Sequence, residues 1–142
     1  MVPSQRIEGK GSPEAIAARG LLAVTCVAFA LASLVHFGVT IALGPVTLAD
    51  PFPGAAIPEA VIAVALGIGA ISLIAGWSGS RWLALGTSLF ALVLTTFGLT
   101  VTIGSGRTGD VVYHIAVLIV LVVIVALLIG PVRQNRRNPP PY

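Results

Sequence analysis

Charged residues are scarce in this 142-residue sequence: they make up only 9% of it, against about 25% in soluble domains. A soluble protein with 56% hydrophobic residues and so little charge could not cover its own core. The single cysteine, Cys26, excludes an intramolecular disulfide and a paired-cysteine motif. Aromatic residues make up 6%, and the basic residues form no stripe, which argues against nucleic-acid binding. The composition predicts one membrane domain whose main partner is the lipid bilayer.

Sequence motifs for catalysis are also missing. The chain has no Walker loop, no glycine-rich dinucleotide motif, no zinc-protease motif and no serine-hydrolase elbow. No acidic or basic residue falls at the middle of a predicted span, where proton-coupled transporters normally carry one. These absences argue against an enzyme and disfavour a transporter.

Long apolar segments are what the chain has instead. The most apolar one begins at Asp110 and has no polar side chain from Ile115 to Ile129. A helix of this length crosses the ~30 Å hydrocarbon core at about 1.5 Å per residue. We therefore predict an all-α fold, an antiparallel four-helix transmembrane bundle over residues 13–132, with spans at residues 15–43, 58–77, 82–103 and 111–130.

Prolines mark the predicted boundaries. Pro13 and Pro58 are expected at the first positions of the first and second helices, and Pro131 is expected to end the fourth. Residues 1–12 and the basic, proline-rich residues 133–142 are interpreted as cytoplasmic tails.

The basic residues predict the orientation. One side of the predicted spans holds every lysine and arginine except Arg107, namely Arg6, Lys10, Arg19, Arg81, Arg133, Arg136 and Arg137. The positive-inside rule then places both termini in the cytoplasm. The bias towards Ala, Gly, Val and Arg favours a bacterial source, and hence the inner (plasma) membrane.

Small residues recur at helical spacing in the second and third spans. They are Ala65, Gly69, Ser72 and Gly76, and then Ala84, Ser88, Ala91, Thr95, Gly98 and Thr102. Small side chains let helices approach closely in lipid. We interpret both rows as bundle seams, with a homo-oligomer or a membrane-protein partner as the alternative. The hydroxyl groups are expected to bond backbone carbonyls one turn back.

Polar residues gather at the predicted outer ends of the helices. In the structural interpretation, Asp110 caps the fourth helix and His114 hydrogen-bonds to it. Glu59 then stabilises the N-terminal end of the second helix, and Tyr113 lies in the interfacial aromatic belt.

In the functional interpretation, a metal would be held by His36, Glu59, Asp110 and His114. A b-type haem or a quinone would use His36, His114 and Tyr113. Whether there is any cofactor, a metal or a haem stays open. His36 is expected about two turns below the outer end of its helix, with both imidazole rings inside the bundle and close together.

The layout of residues 13–132 resembles the small four-helix bacterial inner-membrane proteins of DoxX-like type, in span count and orientation. The stretch Asp110-Val-Val-Tyr113-His114 at the start of the last helix also resembles a recurring feature of uncharacterised proteins of that size. The leading hypothesis is a non-enzymatic accessory or assembly subunit. The alternatives are a cofactor-binding or redox protein that uses His36 and His114, and a small channel or transporter.

Overall fold

Four α-helices make up most of the chain in the computed structural model, which describes residues 12–137. They are α1 (Pro13–His36), α2 (Pro53–Ala75), α3 (Ser80–Gly104) and α4 (Thr108–Arg137), with two short strands, β1 (Ile41–Leu43) and β2 (Val46–Leu48), between α1 and α2. Within the described residues, four helices are long and apolar enough to cross a membrane. The prediction of four apolar helices of membrane-spanning length is confirmed, and it indicates a multi-pass protein embedded in lipid.

The first helix ends at His36, so the predicted end at residue 43 was wrong. Gly38 follows with φ +95°, a conformation that glycine adopts without steric cost. The apolar residues after it form β1, which pairs antiparallel with β2 across Gly44. Residues 37–43 are apolar except for Thr40, and periodicity alone does not separate a short strand from a helix end in such a run.

The second helix begins at Pro53 instead of Pro58. Both positions tolerate proline: Pro53 lies where the backbone N–H would have no helical partner, and Pro58 removes only one donor inside the helix. The fourth helix begins at Thr108 and continues through Pro131 to Arg137, so the prediction that Pro131 ends it was wrong. The part of this helix that is apolar enough to cross a membrane ends at Gly130, the predicted end of the span. The predicted tails were residues 1–12 and 133–142. Residues 133–137 belong to α4, so the tail prediction was wrong there, and residues 1–11 and 138–142 lie outside the described residues.

The helices pack in chain order, α1 on α2, α2 on α3 and α3 on α4, and α1 also contacts α4. The largest fully buried apolar side chains are Leu22, Phe29, Leu66, Leu121 and Ile124. Large apolar residues on every helix face outward, as lipid contact requires. Arg81, at the start of α3, donates through Nε to the carbonyl of Leu128 near the end of α4 at 2.7 Å.

The small-residue seam predicted on α3 is confirmed for five of its positions, which are buried: Ala84, Ser88, Ala91, Thr95 and Thr102. The hydroxyl groups of Ser88 and Thr95 each donate to the carbonyl one turn back at 2.7 Å. On α2, a Cβ added at Gly69 would lie 3.3 Å from the Cα of Ala84 and would collide with the hydroxyl of Thr87. Small residues therefore set the close approach of α2 and α3.

Candidate functional site

Charged side chains from the last residue of α1, from α2, from the turn before α4 and from the first turn of α4 meet at one place in the bundle, which we call the histidine end. His36 is the last residue of α1, Glu59 lies on α2, and Asp110 lies in the first turn of α4. These side chains are buried, with 4%, 2% and 8% of the residue surface exposed, respectively. The early end of α1 at His36 is what brings the imidazole level with the start of α2.

His36 lies between two carboxylates. Its Nδ1 donates to Oε2 of Glu59 at 2.7 Å, and its Nε2 lies 3.6 Å from Oδ1 of Asp110. The ring of Phe52 contacts the imidazole edge-on, with centroids 5.9 Å apart. The backbone N–H of Phe52 also donates to the carbonyl of His36 at 3.0 Å. Glu59 therefore bonds the imidazole, and the role predicted for it at the very start of a helix was wrong because α2 begins at Pro53.

Arg107, in the turn between α3 and α4, extends this group. Its Nε donates to Oδ2 of Asp110 at 2.5 Å, and its Nη2 forms an ion pair with Asp50, from the segment before α2. The guanidinium carbon also lies 4.5 Å from the ring centroid of Phe52. The hydrogen bonds to Asp110 and then to Asp50 raise the pKa of Arg107, so this side chain stays cationic.

We call His36, Asp50, Glu59, Arg107 and Asp110 the polar cluster. Asp50 and Arg107 were missing from the predicted site. One signal could have found them: Arg107 is the one basic residue predicted on the same side of the membrane as the three acids of this cluster. A lone cation opposite several carboxylates favours ion pairing.

The predicted metal ligands are only partly brought together. His36, Asp50 and Asp110 offer ligand atoms within 4.8 Å of one another. Arg107 already bonds both of those carboxylates, so a guanidinium supplies the positive charge between them. His114 lies on the other side of Asp110: its Nδ1 donates to the backbone carbonyl of Asp110 at 2.7 Å.

Asp110 connects the two histidines, since its carboxylate faces His36 and its carbonyl faces His114. Both imidazoles are 4% exposed, so the prediction that they lie inside the bundle is confirmed. The predicted depth of His36 was wrong, because α1 ends at this residue. Asp110 was expected to cap α4, but it lies inside the first turn and bonds Arg107.

Tyr113 faces the bundle instead of the interfacial belt. Its ring makes edge contacts with Phe29, at 6.0 Å between centroids, and with His114, at 5.4 Å. Its hydroxyl group is buried and has no hydrogen-bond partner among the described residues. The other ring nitrogen of His114, Nε2, faces α3, where a Cβ added at Gly98 would lie 2.8 Å away.

A pocket of about 240 Å³ lies beside the polar cluster, between α2 and α3. Its lining is mostly apolar and consists of Phe29, Phe52, Gly54, Ala55, Pro58, Glu59, Ile62, Leu94, Thr95, Phe97, Gly98, Val101, Thr102 and His114. Phe97 and Val101 are 68% and 46% exposed, so the wall of the pocket extends to the outside of the bundle.

Glu59 belongs both to the polar cluster and to the pocket. Its Oε2 bonds His36, while Oε1 is buried and lacks a hydrogen-bond partner in the described part of the chain. Apolar walls with a few polar groups are typical of small-molecule sites. Comparison with family models, with curated proteins and with solved structures finds no match for this chain.

Proposed function

We propose that this protein is a non-enzymatic integral membrane protein that binds a small membrane-soluble ligand in the pocket between α2 and α3. The observation that carries the proposal is Glu59, a 2% exposed residue that lines the pocket. One of its carboxylate oxygens, Oε1, is buried without a partner among residues 12–137. A buried polar atom without a hydrogen bond costs free energy, and a bound ligand group would recover it.

The size of the pocket limits what enters it. Pockets for drug-sized ligands measure about 300–1,000 Å³, so a volume of about 240 Å³ accepts a ring or a head group. The rest of an elongated ligand would lie along the exposed wall at Phe97 and Val101, where the bundle meets lipid. The ligand therefore reaches the pocket from the hydrocarbon phase.

The proposal includes the predicted orientation: an antiparallel bundle in a bacterial inner membrane, with both termini in the cytoplasm. The distribution of arginines supports it. Arg81 lies at the start of α3 and contacts the far end of α4, away from the histidine end. At the histidine end, Arg107 is paired with two carboxylates, so it adds no net positive charge there. The pocket then lies in the outer half of the bilayer.

The geometry favours an organic, membrane-soluble ligand over a haem or a metal. Both ring nitrogens of His36 face carboxylates. Axial haem ligation by two histidines needs one nitrogen of each ring directed at a shared iron, whereas Nε2 of His114 faces Gly98 on α3. The accessory-subunit hypothesis predicts the opposite result to ours, a pocket that holds only bulk lipid.

Ligand retention tests the proposal. We would purify the protein in lipid nanodiscs, extract the bound small molecules and identify them by mass spectrometry against empty nanodiscs. Val101→Trp places a large ring at a lining position and should remove most of the retained compound. Val93→Trp is the matched control, because Val93 is an exposed valine of α3 outside the pocket lining.

Two results would contradict the proposal. One is an extract with no compound enriched over bulk lipid. The other is equal retention of the enriched compound by wild type and by Val101→Trp, which would place the ligand elsewhere on the protein.

A further inference from the structure

We infer that the ligand of this pocket is a hydrogen-bond donor, a lipophilic alcohol or phenol, and that ketones, quinones and ethers of the same shape bind poorly. This inference rests on the proposed function and adds the chemical class of the ligand. It follows from the hydrogen-bonding capacity left on each polar side chain that lines the pocket.

Glu59 offers an acceptor. Its Oε2 accepts the Nδ1–H of His36 at 2.7 Å, which leaves Oε1 as the buried oxygen without a partner among the described residues. We take Glu59 in the ionised state of its ion pair with His36, and a carboxylate in that state has no proton to donate. The carboxylate group therefore pairs with a donor brought by the ligand.

His114 offers a second acceptor. Its Nδ1 lies 2.7 Å from the backbone carbonyl of Asp110, and a carbonyl oxygen only accepts, so Nδ1 carries the proton. In the neutral imidazole, the other nitrogen is then an acceptor. That nitrogen, Nε2, faces Gly98, which also lines the pocket.

The two lining threonines have already used their protons. The hydroxyl of Thr95 donates to the carbonyl of Ala91 at 2.7 Å. The hydroxyl of Thr102 lies 3.2 Å and 3.0 Å from the carbonyls of Gly98 and Leu99. Both oxygens keep only acceptor capacity towards the pocket.

The described polar side chains of the lining are therefore all acceptors. A ligand hydroxyl donates its proton to one of them, whereas a ketone or ether oxygen would face their lone pairs without a hydrogen bond. Tyr113, which has a buried hydroxyl, is not among the described residues that line the pocket. A hydrogen bond to a charged group in a buried site corresponds to about a 10- to 100-fold difference in affinity.

A pair of probes that differ only at the oxygen tests the inference. We would measure the dissociation constants of 4-nonylphenol and 4-nonylanisole for the protein in nanodiscs, with empty nanodiscs subtracted. The phenol should bind about 10- to 100-fold more tightly than its methyl ether. A second pair is 1-dodecanol and its methyl ether. Tighter binding of 4-nonylphenol than of 1-dodecanol would indicate a phenolic ligand, and the reverse would indicate a lipid alcohol.

Three variants test whether Glu59 causes the preference for the phenol over its methyl ether. Glu59→Leu removes the acceptor, and the ratio of the two dissociation constants should fall towards one. Glu59→Gln keeps the shape and adds an N–H donor, so the ether should gain affinity relative to the phenol. Thr96→Val is the control, since Thr96 is an exposed threonine of α3 that bonds its own helix at 2.8 Å and does not line the pocket.

The outcomes separate this inference from the proposed function. Equal binding of phenol and ether, abolished by Val101→Trp, would overturn the inference and support the pocket. Tighter binding of the ether would overturn it as well. If neither pair binds above empty nanodiscs, the inference fails, and the extraction experiment alone decides the proposed function.

Discussion

At the scale of single residues, His36 determines how charge is held inside this bundle. A buried charge is costly unless it is paired and hydrogen-bonded. The imidazole is hydrogen-bonded to Glu59 at 2.7 Å, and its other nitrogen lies 3.6 Å from a carboxylate oxygen of Asp110, which is an ion-pair distance. Asp110 has a second partner in Arg107, but in the described structure Glu59 has His36 alone.

This difference predicts strong coupling between His36 and Glu59. Removing one partner of a buried pair costs about 3–5 kcal/mol, because the other is left unpaired. We expect His36→Leu and Glu59→Leu each to lower the free energy of unfolding by this order. The double variant should lose much less than the sum, since Asp110 keeps its bonds to Arg107. A double-mutant cycle of unfolding in mixed detergent micelles measures the coupling.

Thr96→Val serves as the reference in that cycle, with a change within about 0.5 kcal/mol expected for a surface substitution. Strictly additive losses at His36 and Glu59 would show that the two side chains do not depend on each other.

The identities of the buried polar residues were foreseeable, but their contacts were not. His36, Glu59, Asp110 and His114 were predicted together because each falls near a span end on the same side. Which atoms meet depends on where α1 ends, and Gly38 and the strands after it decide that. The row of apolar residues up to Leu43 hides this boundary, since lipid-facing helix and apolar strand share one composition.

At the scale of the elements, α3 shows how one helix serves both packing and the site. Its small residues approach α2, and Gly98 leaves room for the ring of His114 from α4. That ring is held by the bond between Nδ1 and Asp110, so it has little freedom to move away.

We therefore predict opposite effects for two glycine substitutions on α3. A Cβ at Gly98 would lie 2.8 Å from Nε2 of His114, and such overpacking costs about 1–3 kcal/mol. At Gly86 an added Cβ meets nothing within 4 Å among the described residues. Gly86→Ala should instead stabilise the helix by up to about 1 kcal/mol. Thermal unfolding of both variants checks the prediction.

In the background of His114→Ala, the cost of Gly98→Ala should largely disappear, because the colliding ring is gone. A Gly98→Ala variant as stable as Gly86→Ala would mean that the imidazole lies away from α3.

At the scale of the whole molecule, the number of helices was predictable because the thickness of the bilayer fixes their length. The apolar runs are long and few charges interrupt them. The number of spans was therefore predicted correctly although several helix ends were not. The prolines misled the prediction for two helix ends. Pro58 was expected to begin α2 and Pro131 to end α4, but each lies inside its helix and removes only one backbone donor. The pocket was not predictable, because its walls come from four helices and one connecting segment.

The orientation leads to a labelling prediction. In a Cys26→Ala background, cysteines at Ala49 and Ser105 should react with a membrane-impermeant maleimide added to intact cells. A cysteine at Ser78, between α2 and α3, should react only after the membrane is opened. All three positions are exposed in the structure. Reaction of position 78 in intact cells would reverse the orientation and place the pocket in the cytoplasmic half.

The bonds of Arg107 and His36 also bear on how the chain assembles after insertion. The pair α1–α2 carries His36, Asp50 and Glu59, whereas the pair α3–α4 carries Arg107 and Asp110. The first pair alone has two acids and one histidine, so its charge is not fully neutralised, whereas Arg107 and Asp110 already pair with each other within the second. Docking of the halves brings Arg107 to Asp50 and Asp110 to His36. Complementary charge therefore makes each helix pair the specific partner of the other, in a solvent where apolar surface gives no such preference.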